Sequence, residues 1–360
     1  MNFGAWFFQL QFSYFKTRLR ASNLKRLTSF IKMDQQTFST KPADLKGPWD
    51  VAIIGSGPAA LTAAIYTTRG AASTLILGGE IWGGQLMLTT EVDNFPGFPQ
   101  GILGPKLMGE MRAQAERFGA EFVGQNVTAI NISQQPFQIT VNSQQYSARS
   151  IIIATGAETL WLDAPGVQKL IGRGVSSCAP CDAPFFKNKK VAVVGGGDSA
   201  MEEALVLTKY ASEVTIIHRR DSFRASAAMQ REVLENPKIK VVWNTEVTEV
   251  KGELKIESLE LKNNKTGETS NFPVDGLFIA IGHKPGSEVF KGIIETDERG
   301  FIKKTTSDKR QETGYESATN VQGIFVAGDV HDARYKQAIT AAGFGCMAGM
   351  DALKYLEISR

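Results

Sequence analysis

The sequence predicts an α/β protein of two Rossmann-like dinucleotide-binding domains, the second inserted into the first. Three observations carry that expectation. A β-branched run that ends in a glycine turn occurs twice, 140 residues apart. Further runs of the same kind end in glycine on both sides of the second copy. The length of 360 residues leaves room for two domains at ~150 residues each. The composition, 42% hydrophobic and 21% charged with 35 Gly and 13 Pro, excludes collagenous and wholly disordered chains. No run reaches the ~20 apolar residues of a membrane helix, so no membrane is expected. Three cysteines in so long a chain cannot form a secreted disulfide framework, and they point to a reducing compartment.

Residues 1–46 carry eight Lys or Arg and two Asp, so the net charge of +3 belongs to this leader. Phe8, Phe12, Phe15 and Leu19 recur on one helical face, with Lys16, Arg18, Arg20, Lys25 and Arg26 on the following turns. Two readings fit an acid-free amphipathic segment of this kind. One is an organelle transit peptide, which places the protein in a mitochondrion or another organelle. The other is a disordered or untranslated leader with Met33 as the working start, which places it in the cytoplasm. A secretory signal would put charge before the apolar stretch, the reverse of the order here. Basic residues confined to a tail do not make a nucleic-acid face, and none is expected as partner.

The fold begins near Trp49. Asp50-Val-Ala-Ile-Ile-Gly55 reads as a buried parallel strand entering the turn Gly55-Ser56-Gly57-Pro58-Ala59-Ala60 and a helix over Leu61–Arg69. Gly55 permits the tight turn, Gly57 lets backbone approach a pyrophosphate, and Ala60 lets the helix pack close to the strand. The next strand, Ser73–Leu77, is followed by Glu80, 23 residues past Gly57, where an acid takes ribose hydroxyls. The alternative for Glu80 is a solvated loop charge.

The second copy is Val191-Ala-Val-Val-Gly195-Gly-Gly197-Asp198-Ser199-Ala200, with Val51/Val191, Gly55/Gly195, Gly57/Gly197, Ala60/Ala200 and Ala64/Ala204 in register. Two complete units imply two dinucleotides and electron transfer between them. The copies differ after the second strand. Val214–Ile217 closes on His218-Arg219-Arg220 rather than an acid, and Arg224 follows. Guanidinium groups take a 2′-phosphate bidentately where a carboxylate would repel it, so this site prefers NADPH. Glu80 with the Gly83-Gly84-Gln85 turn suits an adenosine without that phosphate, so the first site takes FAD.

Three more strands return to the cofactor edges: Ile151–Gly156, bearing Ala154, Thr155 and Gly156; Leu277–Gly282, bearing Ile281 and Gly282; and Gly323–Asp329. Asp329, just after Gly328, is placed to accept from flavin hydroxyls, and a helix from Gln337 and Ala338 presents its N-terminus to the ring. These returns divide the chain into residues 1–46, a leader; 47–158 and 287–360, the two parts of the FAD domain; and 159–286, the inserted NADPH domain.

Cys178-Ala-Pro-Cys181-Asp182 lies inside the insertion. As a zinc half-site it lacks partners at ligand spacing, so no metal is expected. At a helix start, which Pro180 permits, the pair suits disulfide exchange, because the positive helix end favours a thiolate. Asp182 is either an acid/base beside the pair or a helix N-terminal carboxylate. Cys346, in an apolar small-residue helix, reads as a packed thiol.

In that order the motifs resemble the low-molecular-weight NADPH-dependent thioredoxin reductases, over about residues 49–357. The resemblance extends to Gly84-Gln85-Leu86, to Thr90-Glu-Val-Asp-Asn94-Phe-Pro-Gly97, to Gly172–Ser176 and to Gly328-Asp329-Val330 with Gln337–Thr340. It implies the flavoprotein disulfide reductase fold and a homodimer. It further implies that NADPH reduces FAD, FAD reduces the Cys178–Cys181 disulfide, and the dithiol reduces thioredoxin. It makes Cys178 the thiol that attacks thioredoxin, Cys181 the one that faces flavin, and Asp182 the acid/base. It also implies rotation of the inserted domain about hinges near Thr155–Leu160 and Lys284–Glu288. Two residues depart from the family pattern. Ala183 replaces a usual Gly, which bars easy positive φ, and Lys336 replaces an Arg before Gln337-Ala338, which puts flavin affinity in question. Rival readings keep the chemistry with a peroxiredoxin-linked or glutaredoxin-like acceptor, or make the chain a regulatory flavoprotein. The lack of an appended thioredoxin-like domain argues against the first, and the intact Cys-x-x-Cys-Asp against the second.

Overall fold

The computed structural model describes residues 47–89, 91–305, 308 and 314–359; the predicted leader lies outside them. The first glycine-ended run forms strand β1 (Trp49–Ile54), followed by helix α1 (Pro58–Arg69) and strand β2 (Thr74–Leu77). β1 pairs in parallel with β2 on one side and with β3 (Gln144–Ile153) on the other, Ile54 lying opposite Leu77 and Ile153. Val51, Ala52 and Ile53 are fully buried, as a parallel strand covered on both faces requires. The N-terminal half of β3 continues the sheet antiparallel through 137–141 and 127–131.

A second sheet is parallel throughout, in the spatial order 175–176, β6 (Gly276–Ala280), β4 (Lys190–Gly195), β5 (Glu213–Ile217) and 239–242. A short helix α2 (Ala179–Asp182) precedes β4, and helix α3 (Asp198–Leu207) follows it. The chain then returns. Strand β7 (Ile324–Val326) joins the first sheet beside the C-terminal half of β3, and helix α4 (Ala338–Ile358) packs on α1. That packing is close because both surfaces are small: a Cβ on Gly345 would lie 2.1 Å from the Ala59 carbonyl oxygen. The early and late segments of the chain therefore share one core. Where the chain crosses between the sheets, 157–159 and 283–285 pair as an antiparallel ribbon.

The predicted α/β fold with two dinucleotide-type units is present, and the internal duplication is geometric as well as textual. Ala60 and Ala200, and Ala64 and Ala204, are all fully buried where helix meets sheet. Among the described residues no helix is long and apolar enough to cross a membrane.

Candidate active site

The first cradle forms at the C-terminal ends of β1 and β3. Gly55 has φ +126°, and a Cβ there would lie 2.1 Å from the Ala154 carbonyl oxygen, so only glycine fits the crossing. Gly57 has open space on its Cβ side and precedes α1, whose first N–H groups lack intrahelical partners. Pro58 occupies the first helical turn and Ala59 packs beneath Gly328. Ser56 braces the turn: its hydroxyl donates to the Gly78 carbonyl at 2.6 Å and accepts the Gly83 N–H at 2.9 Å. Gly84, Gln85 and Leu86 form a 3-10 turn that brings Gly84 beside Gly57. Glu80 is exposed just beyond β2. The Thr155 hydroxyl donates to the Gly286 carbonyl at 2.7 Å, while Gly156 has φ +70° and open space beside it.

From the late segment, Asp329 enters with Oδ1 buried and unpartnered, its carboxyl pushed up to about 7 chiefly by burial, with Asp332 adding. A buried oxygen that no protein group satisfies calls for a hydroxyl or N–H from a bound group. That orphan, with the open glycines, fits FAD. Gln337 caps α4, with Ala338 its first residue, and accepts the Asn94 side-chain N–H at 3.2 Å. Lys336 has φ +47° and donates from Nζ to His283 Nδ1 at 3.3 Å.

The second cradle repeats the first. A Cβ on Gly195 would lie 2.4 Å from the Ala280 carbonyl oxygen, and Gly197 again has open space before its helix. Asp198 Oδ1 accepts the Ser226 N–H, Ser199 is exposed, and Ala200 is buried under the turn. Arg219, Arg220 and Arg224 are exposed, and the Arg224 N–H donates to the Gly196 carbonyl at 2.7 Å, folding the arginine loop over the glycines. An open phosphate turn under three exposed guanidiniums fits NADPH. His218 is only 6% exposed. Its ring fills the space a Cβ on Gly196 would need and packs against Phe223 and Trp243, so it supports the turn from below. Ile281 and Gly282 lie past β6 at the same edge.

Cys178 and Cys181 are joined in a disulfide with Cα atoms 5.3 Å apart. Cys178 caps α2 and Pro180 lies in its first turn. Gln337 Nε2 is 3.7 Å from Cys178 Sγ, so the disulfide rests against the flavin-type half. Asp182 is raised by burial, with a hydrogen bond from Ser176 opposing. Ala183 has φ −53°, so replacing glycine there costs nothing. Cys346 is half-buried rather than in the core, its sulfur 4.0 Å from Met350 Sδ. Sequence reasoning missed Glu203, which bonds the redox helix. The register offered a signal, since the first copy has the fully buried Ala63 at that position.

Two dinucleotide cradles and a disulfide at their junction define a nucleotide-dependent disulfide oxidoreductase. The family model described as pyridine nucleotide-disulphide oxidoreductase matches residues 49–345. The thioredoxin reductase of Streptomyces coelicolor is 50% identical over 309 residues, 85% of this chain and 94% of that one. Thioredoxin reductase 1, mitochondrial, of Arabidopsis thaliana is 47% identical over 321 residues, 85% of this chain and 83% of its own. The solved thioredoxin reductase from Giardia duodenalis superposes with a TM-score of 0.81 at 40% identity, covering 86% of this chain and 99% of that one. The chain belongs to the pyridine nucleotide-disulphide oxidoreductase family, among its thioredoxin reductases.

Proposed function

We propose that this chain is an NADPH-dependent thioredoxin-disulfide reductase. The observation that carries the reading is the Cys178–Cys181 disulfide on a helix between the two cradles, in contact with Gln337 of the flavin-type half. Bound FAD supplies a two-electron relay from NADPH to that disulfide. The glycine turns and α1 hold its pyrophosphate, Glu80 its ribose, and Asp329 a flavin hydroxyl. Arg219, Arg220 and Arg224 hold the 2′-phosphate of NADPH. Cys178 attacks the thioredoxin disulfide as thiolate. Cys181 then closes on Cys178 and releases reduced thioredoxin, while Asp182, its carboxyl raised by burial, is placed to supply the proton a leaving thiolate needs. Overall, NADPH, a proton and thioredoxin disulfide yield NADP⁺ and thioredoxin dithiol. Phe185, 58% exposed beside the redox helix, offers an apolar rim for the incoming protein.

The site assignments go with a division into 47–158 and 287–360 for FAD and 159–286 for NADPH, joined at the 157–159/283–285 ribbon. Both the nicotinamide cradle and the disulfide belong to the inserted part, and the family resemblance implies that this part rotates to bring each in turn to the flavin. The family resemblance supports a homodimer, checked by light scattering. The Arabidopsis relative named mitochondrial supports reading the basic leader as an organelle address.

The test is Cys181→Ser in the FAD-loaded chain. It should abolish NADPH-driven thioredoxin reduction while leaving flavin bleaching by NADPH. Undiminished thioredoxin turnover would refute the assigned centre.

A further inference from the structure

The two sulfurs of the redox pair stand in different surroundings. Cys181 is exposed, whereas Cys178 is half-buried and its Sγ lies 3.7 Å from Gln337 Nε2, on the flavin-type half. The fold fixes that amide firmly. Gln337 is the N-cap of α4 and shares a capping box with Thr340: its backbone N–H donates to the Thr340 hydroxyl at 3.3 Å, and its side-chain oxygen faces the Thr340 N–H. The same oxygen accepts from Asn94 Nδ2 at 3.2 Å. An amide whose oxygen is held by N–H groups can turn only its NH₂ the other way, and here that is towards the sulfur. The sulfur also lies at the positive end of a 21-residue helix that has no acid in its first turn.

We propose that Gln337 is the donor that makes Cys178 the sulfur to carry negative charge when the disulfide opens, with Asn94 a positioning residue that holds its amide. The inference rests on the reductase reading and adds to it which sulfur leaves. Opening takes two electrons and one proton, the hydride equivalent that NADPH loses on becoming NADP⁺. The Sγ–Sγ bond breaks, Cys181 ends as a thiol and Cys178 as a thiolate, so atoms and charge balance. Exposed Cys181 is open to attack, and Cys178, under the Gln337 N–H, is the leaving group. A hydrogen bond to a charged atom favours the thiolate about tenfold or more over the neutral thiol. The thiolate so formed is the nucleophile that attack on thioredoxin then requires.

The test reads an equilibrium rather than turnover. The FAD-loaded chain, with FAD in excess, is equilibrated in dithiothreitol redox buffers across the pH range of thiol ionisation, quenched in acid and alkylated. The oxidised fraction of the Cys178–Cys181 pair is then read by mass spectrometry. While both thiols are protonated the equilibrium constant changes about a hundredfold per pH unit, and above the lower thiol pKa only about tenfold, so the break marks the first thiolate. Gln337→Met, which keeps the length but not the donor, should move the break up by about one pH unit. Gln337→Glu should move it further, because a carboxylate then faces the sulfur. Asn94→Leu leaves the α4 cap in place and should move it the same way by less. The other ionisable groups around the pair are the same in every variant: Asp182 on its own helix, Glu203 bonded to the Ala179 N–H, and Lys336 beside Gln337 with Asp332 and His283 bonded to it. An unmoved break in Gln337→Met, or a downward one in Gln337→Glu, would overturn the proposal, and an unmoved break in Asn94→Leu would overturn the part given to Asn94. The equilibrium needs neither NADPH nor thioredoxin, so failure of the donor shows in it alone, whereas failure of the reductase reading shows as a parent chain that does not reduce thioredoxin.

Discussion

Asp329 and Glu203 carry carboxyls pushed up to about 7, chiefly by burial. A carboxyl whose folded pKa exceeds its unfolded value holds its proton more tightly when folded. The stability it contributes is complete below the unfolded pKa and is lost as pH rises through the folded one. His283 and His331, lowered to about 4 by burial, act in the opposite sense, losing stability as pH falls from 6.5 towards 4. In cofactor-free protein, Asp329→Asn should therefore remove a loss on the order of 4 kcal/mol between about pH 4 and pH 7. Urea midpoints across that range check it, and an unchanged pH slope would refute the assignment. The arginine loop gives a second expectation. Arg219→Ala with Arg220→Ala should weaken NADPH by at least about tenfold more than NADH, since only NADPH carries the phosphate. Equal losses, measured as KM for each cofactor, would remove these residues from the specificity argument. The residue scale is also where sequence reading stopped short. Arg219 and Arg220 were legible because their position after a strand is diagnostic. The burial of His218 was not, because it depends on Phe223 and Trp243 folding around the ring.

At the scale of the element, each glycine turn holds two residues with different duties. Gly55 crosses the Ala154 carbonyl at positive φ, whereas Gly57 has φ −75° and open space beside it. Gly55→Ala should cost more than about 2 kcal/mol and release FAD, because backbone must move to admit the methyl group. Gly57→Ala should leave the thermal midpoint within about 1 °C in cofactor-free protein yet weaken FAD retention, because the methyl group occupies the pyrophosphate's approach. Equal destabilisation by both would show that Gly57 is a packing residue. These turns were readable in sequence because strand, glycines and helix follow within one short stretch. Ser56 was readable as part of the fingerprint, but its bonds to Gly78 and Gly83 were not, since the loop after β2 has no periodic pattern to place it.

At the scale of the whole molecule, α1 and α4 meet through Ala59, Ala63, Gly345 and Gly349, so the two ends of the described chain form one core around the first cradle. The family match begins at residue 49, and among the described residues that core runs from Val51 to Leu356. A chain starting at residue 47 keeps that core and both cradles whole, and should keep thioredoxin-linked kcat/KM within about twofold of the full chain. A larger fall would mean that the leader takes part in catalysis.

The sequence by itself determined the class of fold, the two nucleotide types and the redox pair. Each of these is written in short, contiguous patterns whose physics is local: glycine where backbone must approach phosphate, arginine where a carboxylate would repel it, and two cysteines one helical turn apart. Only the tertiary structure decided which half the disulfide rests on and that Asp329 is left with an unsatisfied oxygen. Those facts join residues more than a hundred positions apart, and their energies come from burial and charge that exist only once the chain has closed on itself.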